Sequence, residues 1–457
     1  MTATCSLQHP PGAPCQCTCF GNPHTSSRLP VLKKAAKLCL LVLAACDRGG
    51  SSTQAPPADT GSTAASAVAI PSGTAAATVT AASAIPERST PQGDGVAEFK
   101  ASGEIATCKG KTADLASYLQ RQGLGLTGRN SDGALAAVWL VELQNNPDAH
   151  IAFAGFDGDA RQVARARSIG STRKEGLNVF DTGGAWTVTW FDAEGLAYAR
   201  PRWETSPPGI QHLANVGKEA GENVALAPTP KGALVAAAPF GSERTQLGVF
   251  LFAPTDPAEP NVRAIGVTHH TKQPRRPAIA ADASGYFVAW HEEDGSIQVS
   301  RFDASGKEGE AHEIAPEGPR RERVALVATP TGALALWAEG ETLMSRALDA
   351  SAKPTATTWV VGKGKWGTAA SAEPGALVAW VGNDGKADGR LLLTRLGQDG
   401  APSAQGVRVS DGINPVKDPP AIAVAGARVG LAWTEIMGPS VSTKRALLRL
   451  LDAACIP

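Results

Sequence analysis

Residues 281–309 read ADASGYFVAWHEEDGSIQVSRFDASGKEG, and this stretch decides the fold. An apolar run, YFVAW, is followed by an acidic turn, an alternating run, SIQVSRFD, and a second turn that contains glycine. Alternation with a period of two indicates a half-buried strand, and short turns with Asp and Gly connect antiparallel strands. The stretch therefore predicts a β-hairpin.

Weaker copies of this unit recur along the chain. Their apolar runs are spaced 43 to 53 residues apart, and glycine (49) and proline (33) are frequent enough to supply many turns. Six of the seven runs carry Trp at the equivalent place, and the third carries Ala238; the six are Trp139, Trp190, Trp290, Trp337, Trp380 and Trp433. A period of 40 to 50 residues with several short strands is typical of propeller blades. We predict an all-β fold, a single β-propeller with seven four-stranded blades, and the sequence leaves six or eight blades open.

Each copy can be divided into four predicted strands. A short innermost strand, such as RPAIAADASG or RVALVATPTG, precedes the Trp run, which is the second strand. The second strand is apolar on both faces, as expected of a blade packed between two neighbours. The third strand alternates and the fourth is weaker. We interpret the six Trp as blade-packing anchors, each with an indole N–H available to a loop carbonyl; the alternative is a set of ligand platforms.

The two ends of the repeat region predict how the ring closes. The last copy, RALLRLLDAACIP, stops after its third strand, and GEIATCKG upstream of the first copy matches an outermost strand elsewhere in the chain. We therefore expect an N-terminal strand around Glu104 to Thr107 to complete the final blade.

Residues 28–46, RLPVLKKAAKLCLLVLAAC, have the layout of an export signal. Lys33, Lys34 and Lys37 precede an apolar run that is too short to span a bilayer. The run ends in LAAC, which resembles the lipobox of bacterial lipoproteins. The resemblance implies cleavage before Cys46 and lipidation of Cys46, with two or more acyl chains that anchor the protein stably. The alternative is a buried helix that ends in a chance cysteine.

These features divide the chain into three parts. Residues 1–45 are a leader and lipoprotein signal peptide, of which residues 1–30 fit a mis-assigned start, with translation beginning near Val31. Residues 46–95 are the lipidated Cys and a tether of Ser, Thr, Ala and Pro, which cannot bury a core and is expected to be disordered. Residues 96–457 form the propeller. Together they resemble bacterial lipoproteins with Trp-anchored propeller repeats.

Processing before Cys46 would leave three cysteines. With Cys46 taken by lipid, Cys108 and Cys455 remain, and they lie in the two segments expected to meet at ring closure. We predict a Cys108–Cys455 disulfide, which an oxidising periplasm would permit. Two buried thiols are the alternative.

The sequence contains few candidates for chemistry. The polar run His291 to Asp294 occupies a hairpin turn, and His269 and His270 are adjacent, so on a strand they point to opposite sides. Sialidase-type Asp-box turns and the tryptophan docking motif of quinoprotein propellers are absent from the sequence. We therefore predict no catalytic residues, no metal site and no cofactor. A formal net charge of zero argues against a nucleic-acid partner.

A binding rim is the remaining candidate site. Two Trp flank the loop VVGKGKW between two repeats, and basic residues lead into two innermost strands; these candidates are Arg275, Arg276, Arg320, Arg321, Trp359 and Trp366. We predict a monomeric, lipid-anchored protein of the bacterial cell envelope that faces the periplasm or cell surface and binds an unidentified protein or glycan. The alternative is a propeller-type carbohydrate-active hydrolase.

Overall fold

The computed structural model describes part of the chain. It describes residues 95–457 except for 99–105, 120–122, 143–148, 158, 164–166, 173–175, 193, 202–209, 214–222, 241–244, 254–260, 271, 319–320, 322–323, 405, 412, 417 and 438–443. All described residues belong to one compact unit, Ser83–Pro457. The predicted leader, Cys46 and the tether up to residue 94 lie outside the described residues.

The described residues form strands joined by turns, with no α-helix and one 3-10 turn at Ala453–Cys455. Two strands precede the repeats, β1 (Gly95–Glu98) and β2 (Lys111–Leu119). Three four-stranded groups follow: β3 (Leu124–Gly128), β4 (Leu135–Glu142), β5 (Ala149–Phe156), β6 (Arg167–Thr172); β7 (Asn178–Asp181), β8 (Trp186–Phe191), β9 (Leu196–Ala199), β10 (Gln211–Leu213); β11 (Ala225–Pro228), β12 (Leu234–Phe240), β13 (Gln246–Ala253), β14 (Asn261–His269).

The second half of the chain continues the pattern. Its strands are β15 (Arg275–Ala281), β16 (Gly285–His291), β17 (Ile297–Asp303), β18 (Glu308–Ala315); β19 (Ala325–Thr329), β20 (Gly332–Glu339), β21 (Thr342–Asp349), β22 (Pro354–Ala372); β23 (Gly375–Gly382), β24 (Arg390–Leu396), β25 (Val407–Arg408); β26 (Ala421–Ala425), β27 (Arg428–Ile436), β28 (Lys444–Asp452). Within each group successive strands pair antiparallel. The hairpin predicted for residues 281–309 is β16 and β17, in which Gly285 pairs with Asp303 and His291 with Ile297.

Strand β22 is shared by two groups of strands. Its first half pairs with β21 as far as Lys363, and its second half pairs with β23 from Gly364 onwards. We treat the halves as the last strand of one sheet and the first strand of the next. Among the described residues this division gives seven four-stranded sheets, numbered here 1 to 7 in chain order, with β2 as the fourth strand of sheet 7.

Apolar side chains fill the interfaces between consecutive sheets. Each of seven core clusters combines residues of one sheet with residues of the next. One of them joins Ala425 and Leu448 of sheet 7 to Leu135 and Ala137 of sheet 1, so the sheets form a closed ring. The innermost strands also contact one another in chain order, and β26 returns to β3. The all-β propeller fold is thus built from face-to-face sheets, which explains why the second strands are apolar on both faces.

The six repeat Trp are buried in the second strands of their sheets. Each lies in the cluster shared with the preceding sheet, as Trp190 does between sheets 1 and 2. The indole of Trp380 donates to the carbonyl of Lys363 at 3.2 Å, the type of contact expected from the sequence. The indole of Trp433 instead donates to the Glu435 carboxylate at 2.9 Å. The position of the Trp at sheet interfaces fits the packing role.

The ring closes through an N-terminal strand, but the segment that we predicted for it is wrong. The fourth strand of sheet 7 is β2, which pairs antiparallel with β28 from Lys111 opposite Leu450 to Leu119 opposite Lys444. Residues 106–108 instead run beside Arg408 of sheet 6, where Thr107 forms a parallel bridge. The prediction matched a short string of residue types; the strand that pairs is β2, which lies opposite residues Lys444 to Leu450 of β28.

The cysteines meet at the same place. Cys108 and Cys455 are placed as a disulfide with their Cα atoms 5.9 Å apart, and they are 347 residues apart in sequence. Nearby, Arg449 of β28 donates to Thr112 of β2 at 2.8 Å. The two ends of the repeat region are therefore joined by strand pairing, by a side-chain hydrogen bond and by paired sulfur atoms.

Candidate binding face

One edge of the sheets collects the loops that we predicted as a rim. Arg275, at the start of the innermost strand β15, pairs with His291 at the end of β16, and Ile297 pairs with both His291 and Ala315. The entry to a sheet, its turn between second and third strands and its exit therefore share one edge. We call this edge the crossing face, because the chain crosses from sheet to sheet there.

The acidic turn of sheet 4 lies on the crossing face and is neutralised by neighbouring cations. Lys272 Nζ is 3.0 Å from Glu292 Oε2 and also bonds to Asp294. Arg275 lies 2.9 Å from Glu293. The hydrogen bond from Lys272 holds the pKa of the Asp294 carboxyl well below its usual range. The turn is an ion-paired, partly exposed loop.

Two predicted rim residues are structural. Arg321 has a side chain only 3% exposed, which donates to the carbonyls of Gly295 and Pro316 and to the Glu339 carboxylate at 2.9 Å. It is therefore a buried link between sheets 4 and 5 rather than an anion-binding group. Trp359 is 8% exposed and packs with Ala97 and Ala401, because β1 covers this part of β22.

The other rim arginines are placed differently. Arg275 is exposed and paired with Glu293. Arg276 has a positive φ of 46°, and its backbone N–H donates to Asn223 Oδ1 at 3.2 Å, so its conformation fixes the start of β15. Arg320 lies outside the described residues.

The segment predicted as a loop between two repeats is the middle of β22, where the strand passes from sheet 5 to sheet 6, and it presents a different surface. Lys363 and Lys365 are exposed there, and Lys365 Nζ lies 4.3 Å from the ring centroid of Trp366. Trp366 is half-buried against the core between sheets 6 and 7 and has a φ of 56°. At Gly364 a Cβ would come within 2.3 Å of the Val381 carbonyl, so the backbone here needs glycine. The result is a fixed aromatic ring with two lysines on the crossing face.

Sheet 7 contains a buried polar cluster that the sequence did not reveal. Lys444 Nζ lies 3.0 and 2.9 Å from the two carboxylate oxygens of Asp418, which also accepts from Thr434. Glu435 accepts from Trp433 and from Arg445 at 3.1 Å. The sequence feature that could have indicated this cluster is the charged residue Glu435, two positions after the repeat Trp433. Because Asp418 and Glu435 accept hydrogen bonds from Lys444, Thr434, Trp433 and Arg445, we interpret the cluster as a structural link.

The residues that the structure describes contain no group of three or more His, Cys, Asp or Glu placed to hold a metal ion. Within the same residues, no helix has the length and apolar character needed to cross a membrane.

Comparisons with known proteins give fold-level similarity only. No family model and no curated relative matches the chain. Similar solved structures include AofleA from Arthrobotrys oligospora, at 10% identity and TM-score 0.45 over 69% of this chain and 96% of that one. The SapL1 lectin in complex with alpha methyl fucoside has 12% identity and TM-score 0.40 over 64% and 99%. The Dos1 propeller has 8% identity and TM-score 0.38 over 76% and 94%. Because these scores are below 0.5, the fold assignment rests on the strand pairing and interfaces of this chain.

Proposed function

We propose that the chain is a lipid-anchored envelope protein whose propeller binds a protein or glycan through the crossing face. The observation that carries this proposal is the Trp366 ring, packed against the core and contacted by Lys365, with Lys363 exposed two residues earlier. An aromatic ring held by packing and backbone contacts loses little entropy on binding, and its apolar surface suits a sugar ring or a partner side chain. We define these three residues as the KKW patch.

The charges on the crossing face favour binding over hydrolysis. A glycosidase needs two carboxyls, one of which keeps its proton near neutral pH. Burial opposes ionisation of Asp384, but backbone hydrogen bonds from Ala387 and Lys386 and the Arg408 guanidinium outweigh it and lower its pKa. Glu308, whose pKa burial raises, lies at the start of β18 on the opposite edge of sheet 4. These features support a binding role rather than a carbohydrate-active hydrolase.

Site-specific photocrosslinking in native membranes tests the binding role. A photoreactive residue at Lys365 should give one discrete adduct, and the same residue at Lys307, exposed on the opposite edge, should give none. Protease or glycosidase digestion of the adduct then distinguishes a protein partner from a glycan. Equal crosslinking at both positions would count against the KKW patch.

Lipid anchoring has a separate test. We expect radiolabelled palmitate to label the wild-type chain and not a Cys46→Ala variant, which should also leave the membrane fraction. Labelling that persists in the variant would refute the assignment of Cys46.

A further inference from the structure

The KKW patch carries positive charge that no neighbouring carboxylate offsets. Lys363 and Lys365 are both exposed, and neither forms an ion pair with a carboxylate among the described residues. Lys272, on another part of the crossing face, is by contrast bonded to Glu292 and Asp294. The two ammonium groups of the patch are therefore available to an anionic partner.

The ring of Trp366 positions one of these ammonium groups. Trp366 packs against the core between sheets 6 and 7, and the exposed Lys365 places its Nζ 4.3 Å from the ring centroid. A cation above an aromatic ring is attracted by the negative face of the ring. The ring therefore holds the Lys365 ammonium at the surface, and that ammonium covers part of the face that a sugar would need for stacking.

An exposed aliphatic side chain lies on the same face. Ile413, in the crossing from sheet 6 to sheet 7, is 84% exposed. It precedes Val416 by three residues, and Val416 belongs to the core cluster against which Trp366 packs. Three residues span at most about 11 Å, so Ile413 lies on the part of the crossing face that borders this cluster. A partner with an aliphatic side chain beside its negative charge would bury Ile413.

Acidic side chains lie beside the patch and limit the shape of the partner. The carbonyl of Glu341 accepts from the N–H of Gly364, between the two lysines, at 2.7 Å, and the Glu341 side chain is exposed. Asp388, on the turn between β23 and β24, is exposed on the crossing face as well. A flat anionic membrane would bring its headgroups against these carboxylates as well as against the lysines. A short protein segment can instead place its acidic residues at the lysines alone.

We propose that the crossing face binds a short acidic segment of a partner protein, with its carboxylates at Lys363 and Lys365 and an aliphatic side chain against Ile413. This inference rests on the proposed function and makes it more specific, since it names a protein rather than a glycan as the partner of the KKW patch. The ion pairs orient the segment, and the apolar contact excludes water.

Fluorescence anisotropy with the full chain in neutral detergent tests the proposal. The probe is a labelled peptide, GEELEEG. One control peptide, GQQLQQG, lacks the negative charges, and the other, GEEGEEG, lacks the aliphatic side chain. We expect saturable binding of GEELEEG and binding at least about fivefold weaker for each control, because each control loses one of the two kinds of contact.

Charge variants locate the ion pairs. Lys363→Gln/Lys365→Gln should weaken the binding of GEELEEG about tenfold. Lys307→Gln/Lys353→Gln is the matched control, since it removes the same charge from exposed turns at the opposite edge, and should bind the peptide as the wild type does. Glu341→Gln removes the acidic neighbour of the patch and should strengthen binding about twofold. Equal weakening by the two lysine pairs would overturn the proposal.

Ile413→Ser examines the apolar contact. Because the side chain is 84% exposed, the variant should fold as the wild type does. It should weaken the binding of GEELEEG about threefold and leave that of GEEGEEG unchanged. Equal loss for both peptides, or equal wild-type binding of the charged and uncharged probes, would overturn the proposal.

The photocrosslinking experiment separates this inference from the proposed function. An adduct at Lys365 that is a glycan or a lipid would retain the KKW patch as the contact surface and overturn the protein segment. The absence of any discrete adduct there would overturn both.

Discussion

Removing the Cys108–Cys455 link should destabilise the propeller through its unfolded state. The link closes a loop of 347 residues. The chain-entropy treatment gives such a loop about 6 kcal/mol at 25 °C, while native disulfides removed from proteins typically account for 2–5 kcal/mol. Because β2 still pairs with β28 and Arg449 still bonds to Thr112, the folded ring should persist in a Cys108→Ala/Cys455→Ala variant. We therefore expect a loss of about 3–6 kcal/mol in the free energy of unfolding with no change in secondary structure.

Urea unfolding followed by Trp fluorescence measures this loss. The oxidised wild type, the reduced wild type and the double variant are compared, and the reduced wild type should behave as the variant does. Thr112→Ala is the control, since it removes one hydrogen bond at the same junction and should cost about 1 kcal/mol whether or not reductant is present. A reductant effect below about 1 kcal/mol, or two reactive thiols in the denatured and unreduced mature chain, would refute the reasoning.

Three further predictions concern packing, burial and pH. Trp433→Phe should cost about 1–3 kcal/mol more than Trp290→Phe in urea unfolding, because only the Trp433 indole donates to a carboxylate. Arg321→Met should cost about 1–3 kcal/mol, since it removes hydrogen bonds from a guanidinium that is 3% exposed to two carbonyls and to the partly exposed Glu339, whereas Arg275→Met at an exposed pair should cost less than about 1 kcal/mol. The Ser305 hydroxyl and backbone N–H groups lower the pKa of Asp303 in the folded protein. Its contribution to folding stability is therefore present above the pKa of the unfolded chain and is lost as pH falls through the pKa of the folded protein. Asp303→Asn should therefore flatten the acid limb of a pH–stability profile, and an unchanged slope below about pH 4 would contradict this.

The repeat architecture was predictable because the same residue pattern recurs along the sequence. Trp at one position of six of the seven repeats, followed by turn residues, specified the second strands and placed Trp290 and Trp380 correctly in them. The innermost strands followed from their position before each Trp run, as β15 and β19 show.

Features that depend on contacts distant in sequence were not predictable. The placement of β2 rather than residues 104–107 depends on pairing with β28, at the other end of the chain. The burial of Arg321 depends on acceptors in three different segments. A run of arginines has the same sequence whether its side chains are exposed to water or bonded to carbonyl groups, so the sequence alone does not distinguish the two.

The N-terminal segment also determines how the propeller responds to mechanical force. Strand β1 lies parallel to the first half of β22, residues 106–108 lie beside Arg408, and β2 completes sheet 7, so the chain passes along the outer edges of sheets 5, 6 and 7 in turn. Tension applied from upstream of residue 95 first meets the four residue pairs between β1 and β22. Their rupture would release slack, and the pull would then pass to the Cys108–Cys455 junction. In a force-extension experiment, we expect a small early yield followed by a much stronger barrier, which reduction should lower to the strength of the β2–β28 pairing.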